Sequence, residues 1–221
     1  MSRGSPKELQ TSFVALRAQD VHELENISGA TLLVIMPFIN RALAERSARQ
    51  LAGRAGTDGL LVAIEDIDRQ GFITVLNQAF RTIPCEFVAY VAQDAFAGRQ
   101  WLLRADHALQ KTGKAVLAFN DGKWRGAMAA FGFVRRSWAE ANYGGLLFHP
   151  AYKQHYADVE LSMLAIHDKQ YCYDPDAVLV EVDWDKDRAP VNAGDRLLYR
   201  QRAAQGLDGR VIDADLLKRF S

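Results

Sequence analysis

Four apolar runs separated by helix-forming stretches occupy residues 31 to 119, and no other feature of the chain restricts its fold as strongly. Thr31-Leu32-Leu33-Val34-Ile35-Met36, Leu60-Leu61-Val62-Ala63-Ile64, Phe87-Val88-Ala89-Tyr90-Val91 and Lys114-Ala115-Val116-Leu117-Ala118-Phe119 have strand length and almost no polar interruption. A run without alternation suits a strand buried on both faces, as in parallel sheets covered by helices. Between the runs lie helix-forming segments from Asn40 to about Ala55, Phe72 to Arg81 and Arg99 to Leu109. The βαβαβ order predicts right-handed crossovers and an α/β, Rossmann-related, doubly wound, mainly parallel sheet with helices on both faces. Pro37 is expected to stop the first strand.

The 221 residues suffice for one main domain with a substantial core. Residues 1–29 read as an N-terminal extension, in which Val14, Leu16, Val21, Leu24 and Ile27 suit a short helix or packing arm. Residues 30–185 form the main domain, and 186–221 a charged tail with short helices, one near 195–203. Beyond residue 120, Gly122, Gly126, Gly132, Gly144 and Gly145 interleave with Trp124, Phe131, Phe133, Trp138, Tyr143 and Phe148. A helix is expected over 155–168 and a late strand over Ala177–Val182.

Lys+Arg and Asp+Glu balance at 27 each, so no overall positive field argues for nucleic acid. Lys123, Arg125, Arg135 and Arg136 read as solvated surface or as a local contact for phosphate or anionic lipid. Cys85 and Cys172 have no partner at zinc-site spacing, and packing roles are expected for both. No run approaches the roughly 18 apolar residues of a membrane span. Met1–Pro6 leads into polar residues rather than a signal core, and a cytoplasmic chain is expected.

Two acidic groups close strands. Asp94 follows the 87–91 run, and Glu65-Asp66-Ile67-Asp68 follows the 60–64 run. Ligands of open α/β sheets bind beyond the carboxyl ends of strands, so these acids are placed to hold a metal ion or a phosphate-bearing substrate. The alternatives are a turn residue or helix cap for Asp94, surface charges for Glu65, and a turn cap for Asp66. Asp158 and Glu160 stand two apart at a helix start, so only one can face a site, and a capping acid is the other reading. His149, His155 and His167 read as ordinary, partly exposed histidines.

The order strand-Pro-x-x-Asn, helix, strand-acidic pair, helix, strand-Asp, then a Gly/aromatic region and a second acidic motif resembles family-2-type glycosyltransferases of the GT-A fold, over about residues 31–180. The resemblance implies a nucleotide-binding half at about 30–119 and an acceptor half at about 120–185. Pro37-Phe38-Ile39-Asn40 matches the loop that borders the nucleotide, so Pro37 and Asn40 are implied donor contacts. Glu65-Asp66 matches the acid that meets base or ribose, and Asn77 the Asn shortly before the third strand. Ala92-Gln93-Asp94 matches the metal motif Asp-x-Asp but keeps its last acid alone, so Asp94 is the implied ligand of Mg²⁺ or Mn²⁺. Tyr156-Ala157-Asp158-Val159-Glu160 resembles the base segment, with Asp158 the implied base and Glu160 its fallback. In Asn120-Asp121-Gly122-Lys123-Trp124, Asp121 and Trp124 suit a sugar-facing loop, the alternative being a plain connector.

The implied activity is transfer of a sugar, with inversion, from a nucleotide sugar, UDP-linked by expectation, to a hydroxyl of a glycan or lipid-linked acceptor in bacterial-type surface polysaccharide synthesis. Contact with the inner face of the cell membrane through residues 123–136 or the N-terminal arm, and an oligomeric state, are compatible with it. The rival reading is a non-catalytic nucleotide-sugar-binding or receiver-like α/β module. A receiver places its acid pair after the first strand, where this chain has Pro37-Phe38-Ile39-Asn40.

Overall fold

A computed structural model describes residues 9–182 and 191–220; the expected boundary at 185/186 and the Met1–Pro6 segment lie outside the described residues. β1 (Leu9–Leu16), β2 (Ala30–Phe38), β3 (Gly59–Asp66), β4 (Cys85–Tyr90), β5 (Ala95–Ala97), β6 (Val116–Asn120), β7 (Gly132–Arg135) and β8 (Tyr171–Glu181) form one sheet in the order β1-β3-β2-β4-β7-β6-β8-β5. The pairs β1/β3, β2/β3, β2/β4 and β6/β8 are parallel, and β4/β7, β6/β7 and β5/β8 antiparallel. The principal helices are α1 (Arg41–Arg54), α2 (Phe72–Thr82), α3 (Trp101–Thr112), α4 (Arg136–Asn142), α5 (Ala157–His167) and α6 (Ala193–Ala204).

The continuous apolar runs are explained by two cores, one on each face of the sheet. Leu33 and Ile35 of β2, Val62 and Ile64 of β3, and Val88 and Tyr90 of β4 join the core built with α2, α5 and α6. Their strand neighbours Leu32, Val34, Met36, Leu61, Ala63, Phe87 and Ala89 join the core built with α1 and α3. Successive side chains point to opposite faces, so a strand serving both cores has no place for a polar residue. The expected α/β, doubly wound, mainly parallel arrangement is the one observed.

Three features differ from expectation. Val14 and Leu16 lie in a strand, not a helical arm: β1 pairs with β3 from Leu9↔Gly59 to Leu16↔Asp66 as an edge strand. Its alternation is present, with Leu9 and Phe13 on one core and Val14 and Leu16 on the other, but Gln10-Thr11-Ser12 interrupts the run. Only Val21–Asn26 of that region is helical, as a 3₁₀ turn burying Leu24. Pro37 does not stop β2, which continues to Phe38. The Ile35 carbonyl accepts from Val91 N toward β4, so Pro37 also faces that side, beyond the last β2/β4 pair at Ile35↔Tyr90, where no ladder bond is lost.

The third difference is β7, which returns antiparallel between β4 and β6. Gly132 permits this. A Cβ there would lie 2.5 Å from the Tyr90 hydroxyl, which itself donates to the Ala129 carbonyl at 2.5 Å. The segment after residue 191 is also no loose tail, since Tyr199, Ala203, Leu207, Val211 and Leu216 enter the core shared with α2 and α5.

Glu160 of α5 is 0% exposed and holds that segment in place. Its two oxygens accept from Arg202 Nε (2.7 Å) and Nη2 (2.8 Å), from the Tyr143 hydroxyl (3.0 Å) and from the Tyr152 hydroxyl (2.8 Å). Arg202→Ala would leave this carboxylate buried without its cation and is expected to cost about 3–5 kcal/mol. Removing the charge of the exposed second partner by Asp208→Asn, which tolerates the left-handed φ of 64° there, should cost under about 1 kcal/mol. Urea unfolding of the two variants checks the contrast.

Candidate functional site

The candidate site lies at the carboxyl ends of β2, β3 and β4, where the parallel register ends at Phe38↔Glu65 and Ile35↔Tyr90. The chain leaves β2 through Ile39 and enters α1 at Asn40, whose Oδ1 accepts from Leu43 N at 3.2 Å as an N-cap. Gln93, the middle residue of that motif, turns its Oε1 onto the backbone N–H groups of Ile39 and Asn40, both at 2.9 Å. The loop expected to border a nucleotide is thus pinned to the turn that carries Asp94.

Asp94 is 4% exposed in that turn. Its neighbours are fixed from both sides: its carbonyl accepts from Val182 N, and the Ala95 carbonyl accepts from Ser47 Oγ of α1 at 2.8 Å. Among the described residues no group of three or more His, Cys, Asp or Glu is arranged to hold a metal ion. A hard cation at Asp94 would therefore have one protein carboxylate and would rely on substrate phosphates and water for its remaining oxygen ligands, a set that suits Mg²⁺ or Mn²⁺.

Three expected donor contacts have structural work instead. Asp66 ends β3, and its carboxylate accepts from Gln70 N and Gly71 N, both at 2.9 Å, which bends the loop into α2. Gly71 has φ +105°, and a Cβ there would come within 3.0 Å of the Lys153 carbonyl. Asn77 is a correction: it is buried on α2, its Oδ1 accepting from Leu147 N (3.2 Å) and Phe148 N (2.9 Å) and its Nδ2 donating to the Phe148 carbonyl (3.0 Å). That carboxamide is spent on clamping the 147–148 segment, and its position near β4 in sequence carried no hint of this. Asp121 is the third. Its Oδ1 accepts from the N–H groups of Lys123 (2.9 Å), Trp124 (2.8 Å) and Arg125 (3.4 Å), closing the turn after β6. Trp124 stands at the surface with one edge against Phe220, centroids 5.7 Å apart. Glu65 is half-buried at the strand end.

Asp158 lies in the first turn of α5. Val159 N donates to its Oδ1 at 2.9 Å, and Ser162 Oγ donates to its carbonyl at 2.6 Å while accepting from Ala129 N. Burial pushes its carboxyl up to about 7, the Val159 hydrogen bond opposes that rise, and the charge of Asp121 adds to it. In turn, the charge of Asp158 adds to the burial that raises the Tyr90 and Tyr171 hydroxyls. Asp158, Asp121, Tyr90 and Tyr171 are therefore near enough to act on one another's charge, which joins the end of β4 to the start of α5. Glu160 points the other way, into its ion pair with Arg202, so the fallback base is excluded.

Partial desolvation lowers the His149 and His155 imidazoles below the ordinary range. A cavity of about 530 Å³ opens at the opposite end of the sheet, lined by Ala30, Thr31, Asp58 and Gly59, and shares no residue with the candidate site. Sequence reasoning missed Gln93 as a clamp, Tyr90 and Tyr171 as neighbours of Asp158, and Asp195 and Arg202 as partners of the α5 region. The last two had a signal: with Tyr199 they form an i, i+4, i+7 stripe on one helix.

No protein-family model and no curated protein matches the sequence. Solved structures do. A mannosyltransferase from Pyrobaculum calidifontis, in complex with GDP-Man and Mn²⁺, matches with TM-score 0.53 and 19% identity over 79% of this chain and 61% of its own. Residues 1–349 of S. aureus TarS, in complex with UDP-GlcNAc, match with TM-score 0.62 and 12% identity over 86% of this chain and 71% of that one. The longer TarS structure matches with TM-score 0.58 and 12% identity, covering 84% and 41%. The likeness at such identity is one of fold, a glycosyltransferase fold of the kind solved with nucleotide-sugar donors. This chain spans 61% of the mannosyltransferase's length.

The raised Asp158 carboxyl has a consequence for stability. Its folded value of about 7 exceeds the ordinary 3.8, so between these limits the folded state binds more protons than the unfolded one. The contribution of Asp158 to stability must then fall as pH rises from about 4 to 7. Asp158→Asn removes this dependence, and the variant should gain on wild type across that window by on the order of 4 kcal/mol, with no further gain above about pH 8. Paired urea titrations at pH 4.5, 6, 7 and 8.5 measure the difference, and a constant difference would contradict the enclosed carboxylate.

Proposed function

We propose that this protein is a nucleotide-sugar-dependent glycosyltransferase of the family-2 type, with Asp158 as the general base and the ends of β2, β3 and β4 as the donor platform. The observation that carries the reading is an acid at the start of α5 tied to the end of β4 through Ser162, Ala129 and Tyr90, with burial raising its carboxyl. A base titrating close to working pH combines a useful ionised fraction with proton affinity. The glycosyltransferase fold and the donors bound by its structural neighbours support the same reading.

In this mechanism the donor diphosphate lies over the turn at Asp94, with the nucleotide against the Ile39–Asn40 loop and Glu65. Pro37 and Asn40 shape the loop, Gln93 fixes it, and Asp66 and Asn77 fix the segments beside it. Ionised Asp158 takes the proton of an acceptor hydroxyl as that oxygen attacks the anomeric carbon. The sugar–phosphate bond breaks on the opposite face, the configuration inverts, and the electron pair leaves with the nucleoside diphosphate. A divalent cation held by Asp94 and the diphosphate would supply neutralisation of charge on that leaving group. Trp124 offers a flat apolar face for a sugar ring beside the Asp121 turn. The donor is a UDP-sugar and the acceptor a glycan or lipid-linked glycan in surface polysaccharide synthesis, with Lys123 and Arg125 toward an anionic membrane surface; Arg136, tied to Glu140 and the Ile83 carbonyl, and Arg135, paired with Glu86, belong to the other end of β4. Ala92 in place of the motif's first acid favours a second reading, a module that binds a nucleotide sugar without turnover.

A thermal-shift panel of UDP-, GDP-, CMP- and dTDP-sugars with and without Mn²⁺ tests donor binding; stabilisation by none of them would end the transferase reading. Asp94→Asn should abolish the response to Mn²⁺ while leaving the protein folded. Asp158→Asn should bind the donor as wild type does yet lose on the order of 10²–10⁴-fold in turnover. Binding without turnover by wild type, even with a panel of lipid-linked and soluble glycan acceptors, would favour the non-catalytic module.

A further inference from the structure

We propose that α6 is a positioning device for the candidate base: Asp195 holds the loop that enters α5 and thereby sets where Asp158 sits. This rests on the reading of Asp158 as the base. Asp195 is buried, and its carboxylate gathers three successive backbone N–H groups, Lys153 at 3.1 Å to Oδ1 and Gln154 and His155 at 2.9 Å to Oδ2. Three donors converging on one ionised acceptor make a strong, directional anchor. Tyr156, which follows the anchored loop, enters α5 at φ 66° with no side-chain cap for the helix.

The same face of α6 continues the grip. Tyr199, one turn on, stacks on Tyr156 with centroids 5.2 Å apart. Arg202, two turns on, makes its paired bonds to Glu160. Asp195 and Arg202 therefore bracket Asp158, holding the loop just before it and the residue two positions after it. The loop is also tied to the donor side, because the Lys153 carbonyl accepts from Ile73 N at the start of α2. One helix thus fixes the base-bearing turn relative to the loop that Asp66 shapes.

The two anchors differ in what their loss does. Removal of Arg202 leaves a buried charge and threatens the fold, whereas Asp195→Asn keeps size and one acceptor oxygen but removes the charge and sets its amide NH2 against at least one of the three N–H groups. The loop should open, Asp158, already partly exposed, should gain further access to water, and its carboxyl should move down toward the ordinary range. The groups facing Asp158 are Asp121 after β6, Tyr90 on β4 and Tyr171 on β8, and none of them is altered by the substitution.

The test follows the Asp158 carboxyl by NMR in protein carrying ¹³C-labelled aspartate, the resonance being assigned by its loss in Asp158→Asn. In Asp195→Asn its titration midpoint should fall by about one pH unit or more. Hydrolysis of UDP-GlcNAc and GDP-mannose should show kcat lowered about 10–100-fold, the scale of a misplaced catalytic group, with KM changed less than about 3-fold. Arg200→Gly, at an exposed position of the same helix, should lower Tm without moving midpoint or kcat. An unchanged midpoint in folded Asp195→Asn, or an equal effect of Arg200→Gly, overturns the proposal. Hydrolysis by Asp158→Asn at the wild-type rate would instead overturn the base assignment, and the midpoint would still report on Asp195 alone.

Discussion

A carboxylate cannot leave water without a compensating charge and a full set of hydrogen bonds, and Glu160 has left it completely. Arg202, Tyr143 and Tyr152 meet that requirement, each from a different part of the chain, and so the requirement organises the second half of the molecule. α6 must dock on α5 to deliver Arg202. Once docked, it also presents Tyr199 to Tyr156 and Asp195 to the 153–155 loop. Burial and the Glu160 charge raise the Tyr143 and Tyr152 hydroxyls well above their ordinary range, which keeps both protonated as donors. The position of Asp158 is a by-product of this demand: the helix it begins is held by its neighbour, not by itself.

The first half obeys a different constraint. Its parallel strands serve two cores at once, so their polar residues are driven to the ends, and the carboxyl ends collect Gln93, Asp94, Glu65 and Asp66. What each then does depends on local donors. Gln93 meets two backbone N–H groups as a neutral acceptor, and Asp66 meets two more as an anion. Asp158, enclosed beside another carboxylate, keeps its proton to about pH 7. Three acceptors of similar reach thus become a clamp, a loop cap and a titrating group according to how much water and how many donors surround them.

Much of the fold was legible because burial on both faces writes itself into sequence as unbroken apolar runs; β2, β3, β4 and β6 were each marked that way. β1 was not, since an edge strand keeps one side toward solvent and Gln10-Thr11-Ser12 breaks its run. β7 is four residues long, and its place between β4 and β6 depends on Gly132 meeting Tyr90, a contact between residues 42 apart. The site was legible in outline: acids at strand ends and a second acidic motif at a helix start. Which acid did what was not. Asp158 and Glu160 are equivalent in a linear reading and opposite in space, because two residues along a helix turn the side chain through about 200°. Asn77 looked like a ligand contact only because nothing in its own segment reveals the 147–148 backbone that it holds.

The sequence by itself determined the element types, the doubly wound sheet and the edge of that sheet where polar chemistry gathers, since all of these follow from local periodicity and from where polar residues are excluded. The tertiary structure decided which of those polar residues stay free for a substrate and which are consumed in holding the chain together. The reason is physical: a carboxylate's availability depends on its distance from donors, charges and water, and those reach Asp66 from its own loop but reach Glu160 and the 153–155 loop from α6, some 40 residues away along the chain.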